Sequence, residues 1–102
     1  MKISINEVEI IANKDYSGAT IQSSQDYDVG PVYVSLFIND LAIDHKAFQI
    51  LYASFRNVES VNVKFFDNGF DRDLNMKVRS QDIAFDGTKD IPTAFFKLES
   101  AR

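Results

Sequence analysis

Few residues in this chain are equipped for chemistry. They are a single histidine, His45, with Asp44 beside it and Asp40 nearby, and an acidic turn, "KFFDNGFDRDLNM", from Lys64 to Met76. Nucleophilic catalysis of the serine–histidine–acid kind needs an imidazole held by tertiary structure. His45 falls at the expected start of a helix, where the positive end of the helix dipole disfavours a second proton. Asp40, Asp44 and His45 contain the ingredients of a two-carboxylate, one-histidine metal site, but their spacing does not require one. The turn at Asn68-Gly69 superficially resembles a calcium loop. Such a loop needs glycine at its sixth position and a bidentate carboxylate at its twelfth, and counting from Asp67 those positions hold Arg72 and Val78.

The same turn reads well as a hairpin. Asn-Gly between alternating apolar runs supplies the two positive-φ residues of a type I′ turn. That choice sets Asp67 opposite Phe70, Phe65 opposite Arg72, Val63 opposite Leu74 and Val61 opposite Met76, with Lys64 facing Asp73 on the other side. Asp71 and Asp73 then share one face and Asp67 takes the other, so the carboxylates diverge. Phe66 falls on the outward, polar face.

Other chemistries lack their residues. The chain has no cysteine, which removes disulfides, thiolate metal sites and thiol nucleophiles together. Its 4 glycines are isolated, so no glycine-rich loop is present to cradle a phosphate or dinucleotide. No catalytic residue, metal ligand or cofactor is therefore assigned.

The elements that must hold these residues are mostly strands. A length of 102 residues, 45% of them hydrophobic and 25% charged, fits one globular domain spanning residues 1–102. Ile3 and Ile5 are odd-numbered whereas Val8 and Ile10 are even, so a tight turn or bulge at Asn6-Glu7 is expected, with Ile5 opposite Val8 and Ile3 opposite Ile10. "PVYVSLFI", Pro31 to Ile38, reads as a central strand, and Asn39-Asp40 as a turn into a short strand from Leu41 to Ile43. A modest strand is expected near Ala19 to Ser23 and another from Asp82 to Phe85. The tail "TAFFKLES" reads either as a strand with Ala94, Phe96 and Leu98 on one face or as a helix, capped by Asp90 or Thr93, that aligns Ala94, Phe95 and Leu98. Its β-branched and aromatic residues favour strand.

One helix begins after Asp44, its expected N-cap, and carries Phe48, Leu51, Tyr52, Phe55 and Val58 as an apolar stripe. The expected fold is α+β: one central helix packed on a curved, mostly antiparallel sheet of six to eight short strands.

Charge and apolar exposure supply the functional expectation. The net charge is −4, skewed toward residues 1–30, where Lys2 and Lys14 face Glu7, Glu9, Asp15, Asp26 and Asp28. Such a surface repels phosphate backbones and anionic lipids, so neither nucleic acid nor membrane is an expected partner. No apolar run reaches membrane-spanning length and the first residues lack a signal-like segment, which makes the cytoplasm the expected location.

Tyr16 and Tyr27 stand among aspartates in two loop-like stretches, "KDYSG" and "SQDYDVG". Their rings either pack back on the sheet or, with Asp26 and Asp28, engage a basic protein surface. Phe66 and Phe70, with Phe95 if the tail is a strand, form a second candidate contact. The expected function is a small acidic, non-enzymatic protein–protein interaction module, of inhibitor or immunity-accessory type. The alternative is a self-associating structural subunit that uses Phe66 and a strand edge.

Overall fold

The computed structural model describes residues 2–25, 32–67, 70–85, 87 and 90–100. Seven strands and one helix follow in the order β1 (Lys2–Ile5), β2 (Val8–Ile11), β3 (Gly18–Gln25), β4 (Val32–Ala42), α1 (Lys46–Asn57), β5 (Ser60–Asp67), β6 (Phe70–Ala84) and β7 (Thr93–Ser100). The strands form one antiparallel sheet, ordered β2-β1-β5-β6-β7-β4-β3 and curved into a half-barrel around the helix. This is the expected α+β architecture.

Both expected hairpin registers are present. Asn6 and Glu7 take φ values of 47° and 72°, and Ile5 pairs with Val8 and Ile3 with Ile10. The turn is pinned from outside: Asn6 N–H donates to the Asn62 carbonyl at 2.8 Å, and Asn62 N–H donates to Asn6 Oδ1 at 2.7 Å. Between β5 and β6 every expected pair is present, from Asp67 opposite Phe70 to Ser60 opposite Lys77. Residues 68 and 69 themselves lie outside the described residues.

Three expectations need correction. Asn39-Asp40 does not turn the chain: β4 continues through it with a bulge between Ile38 and Leu41, Asp40 adopting φ 56°. The bulge carries Leu41 to the buried face that Ile38 already occupies, which explains the parity switch. Asp82 to Phe85 is not a separate strand. It is the end of β6, a 15-residue strand whose register shifts between Val78 and Ser80. Finally, β4 is not central, because it lies next to the edge strand β3.

The helix also departs from expectation. Its N-cap is His45, not Asp44: Ala47 N–H donates to His45 Nδ1 at 3.0 Å. Its buried residues are Ala47, Leu51 and Ser54, flanked by partly buried Phe48 and Ile50, so Phe55 and Val58 fall off the stripe. Val58 ends the helix in the left-handed region at φ 54° and is 71% exposed. The Ser54 hydroxyl can be buried because it donates to the Glu59 carbonyl. No helix is long and apolar enough to cross a membrane among the described residues.

The core lies between the helix and the concave face. It holds Ile3, Ile5, Ile10, Val61, Val63, Phe65 and Met76 from one half of the sheet, and Leu36, Ile38, Leu41, Ala94, Phe96 and Leu98 from the other. Each fully buried side chain of this size contributes roughly 1.5–3 kcal/mol relative to exposure. Phe48 ties the helix to β7, its ring centroid 5.8 Å from that of Phe96.

Chain length dictates the curl. β2 and β3 are opposite edges of the sheet, yet only residues 12–17 join them. A flat sheet of seven strands would separate its edges by about 29 Å, at about 4.8 Å per strand. Following the registers across the sheet, Ile11 and Gly18 are further offset along the strands by about ten residues, roughly 33 Å at 3.3 Å each. The connection reaches roughly 25 Å at most. The sheet must therefore coil until diagonally opposite corners meet, and the segment from Ile11 to Ser17 is the clasp.

Candidate interaction surface

The clasp finishes one edge of the sheet. β2 is only 4 residues long and carries Glu9, which pairs with Lys2 at 3.0 Å. At its end the backbone of Ile11 is fully used. Its N–H donates to Asp15 Oδ2 at 3.0 Å, and its carbonyl accepts from the N–H groups of Asp15 at 2.9 Å and Lys14 at 3.2 Å. Tyr16 then turns inward and is 3% exposed, while Ser17 N–H reaches the Asn39 carbonyl at 3.0 Å.

β3 is finished differently. "GATIQSSQ" pairs with β4 along its whole length, from Gly18 opposite Asn39 to Gln25 opposite Val32. Ala19 and Ile21 share the inner face with their partners Ile38 and Leu36, whereas Thr20 and Gln22 share the outer face with Phe37 and Ser35. On its other side β3 has no strand among the described residues. The strand contains no charge and no proline, the usual devices that keep an edge from pairing. The row of backbone donors and acceptors along its outer side is a template for strand addition.

The residues expected to bind a partner do not gather here. Tyr16 is buried, the packed-back option, so its ring offers nothing to a partner and is withdrawn from the contact set. Asp26, Tyr27 and Asp28 lie outside the described residues, as does the side chain of Phe70, whose backbone pairs with Asp67 in β6. Phe66 is on the outward face as expected and is 42% exposed, with the Lys2 ammonium 5.6 Å from its ring centroid.

Phe95 does not join it. Phe66 pairs with Asp71 near the start of β6, and Phe95 with Asp82 near its end. That places them about 36 Å apart along the strand at roughly 3.3 Å per residue. Other exposed apolar side chains, Ile83, Phe85 and Ile91, flank the connection from β6 to β7.

The corner beside the clasp holds a cleft of about 450 Å³ lined by Asn13–Ser17, Asp40, Ala42 and Thr93. Two of its polar side chains are engaged with each other. Thr93 Oγ1 donates to Asp40 Oδ1 at 3.2 Å. Close by, His45 caps α1 through Nδ1, which must therefore be unprotonated, and turns Nε2 toward Asp15 Oδ1 at 3.7 Å. With one ring nitrogen committed to the helix and the other facing the clasp carboxylate, His45 ties α1 to the loop. No group of three His, Cys, Asp or Glu side chains capable of holding a metal occurs among the described residues. Asp40, Asp44 and His45 thus do not form a site.

No protein-family model matches this chain, and searches of curated proteins and of solved structures likewise give no match. The functional reading therefore rests on the two sheet edges. Sequence reasoning missed β3 as a contact, treating it as a modest strand between loops. Its one local signal was a run of eight residues without charge or proline.

Proposed function

We propose that this chain is a non-enzymatic protein–protein interaction module that binds its partner by strand addition to β3. One observation carries this reading: a sheet with one edge closed off by the clasp has its other edge uncharged along eight residues and, among the described residues, unpaired. An exposed edge of this kind pairs with another chain unless it is protected. Backbone hydrogen bonds supply affinity in such complexes, and alternate side chains supply selectivity. The engagement of His45 in capping and clasping supports a non-catalytic role. The contact itself is made by an uncharged strand, so it rests on backbone pairing rather than on the chain's net charge of −4.

The test compares two tagged baits in lysate of the native host: the wild type and Thr20→Lys/Gln22→Lys. Both positions are exposed, so the pair places two lysines on the edge with little effect on folding. Proteins retained by the wild type and lost with the double variant support strand addition. Equal retention by both baits contradicts it.

A further inference from the structure

We infer that the strand added to β3 is β3 of a second copy, antiparallel, with a twofold axis at Ile21. This rests on strand addition at β3 as the mode of binding and names the partner.

Three observations carry it. First, β3 is self-complementary in this register. Ile21 faces Ile21 of the second copy, Ala19 faces Ser23, and Thr20 faces Gln22. Inner-face residues therefore meet inner-face residues, and polar outer residues meet polar outer residues. The apolar inner face, with Ile21 beside buried Leu36, continues across the axis through the paired isoleucines.

Second, in this register residues 20 and 22 oppose each other and Ile21 opposes itself, so a charge at 21, or like charges at 20 and 22, would meet like charge across the axis. From Gly18 to Gln25 there is none, although the chain as a whole is acidic. A strand built for a basic partner gains from acidic residues, and β3 has none to offer.

Third, only one edge is open. Sheets with two open edges add copies at both and grow into filaments, whereas one open edge in an isologous contact closes at two copies. The clasp at Ile11 and the Lys2–Glu9 pair on β2 leave β3 as the single adhesive edge among the described residues.

The experiment is sedimentation equilibrium of the purified chain from micromolar to millimolar concentration, in three forms: wild type, Thr20→Lys/Gln22→Lys and Thr20→Lys/Gln22→Glu. In the inferred register residue 20 lies opposite residue 22 of the second copy, twice by symmetry. The wild type is expected to be a reversible dimer. The lysine pair should weaken it by about tenfold or more, and the lysine–glutamate pair should restore it, losing that gain in high salt.

Both variants alter the same two exposed positions, so far-ultraviolet circular dichroism of each separates misfolding from lost contact. A wild type that stays monomeric throughout overturns the inference. A dimer that neither variant weakens does so as well, since another surface then holds it. Equal weakening by both variants also overturns it, because the axis then lies away from Ile21. Strand addition to a different protein survives each of these results provided the wild-type bait still retains what the lysine variant loses.

Discussion

β2 and β3 terminate the same sheet, and the contrast between them is that of a closed edge and an open one among the described residues. β2 is short, bears a paired charge, and spends the backbone groups of its last residue on the loop that follows. β3 is twice as long, uncharged, and hydrogen-bonded on one side only among the described residues. The difference originates in the clasp. A chain that must cross from one sheet corner to the opposite one folds residues 12–17 against β2 and so protects it.

The contrast can be broken most severely at Tyr16. Tyr16→Ala removes the buried ring that anchors the clasp and should cost about 3 kcal/mol or more in urea unfolding, with β2 becoming a second adhesive edge and light scattering rising.

Asp15→Ala is milder, on the order of 1 kcal/mol. It frees the Ile11 N–H and removes the carboxylate facing His45, so amide exchange at Ile11 should accelerate while that in β3 is unchanged. A change that improves stability without touching either edge is the matched control. Val58 is a β-branched residue held at φ 54° and largely in solvent, so Val58→Gly should stabilise the fold by about 1 kcal/mol. Its melting temperature should rise with no change in self-association.

The smallest effect is electrostatic. The Glu7 carboxylate hydrogen-bonds Lys64 at 2.8 Å and holds its ammonium pKa above the ordinary lysine value, helped by the charge of Glu7 and of Asp73. A pKa raised on folding adds stability that is fully present at neutral pH and is lost as pH climbs through the raised value. Alkaline unfolding should therefore set in earlier for Glu7→Gln than for the wild type, by a small margin because the pair is exposed.

How much of this was legible in the sequence follows from how local each feature is. Both hairpin registers were readable because turn residues and alternation lie within a dozen positions of one another. The bulges were not: a bulge changes the parity of the apolar pattern just as a turn does, so Asp40 read as a turn and the far end of β6 read as another strand.

The N-cap was misplaced by one residue, since Asp44 has the better propensity but His45 has the geometry. The outward position of Phe66 was legible from pairing alone, whereas the burial of Tyr16 depends on a clasp that only the strand order creates. Edge status is the least local property of all. Nothing in "GATIQSSQ" says that no strand lies beyond it; only its lack of charge was there to be read.

The most direct measurement is residue-resolved amide hydrogen exchange over a dilution series of the wild-type protein. Protection of the outward amides of β3 that falls as the protein is diluted, while Ile11 in β2 exchanges at a constant rate, is the predicted result. Exchange in β3 that is fast and independent of concentration would contradict the account, because the edge would then be open with no second copy to close it.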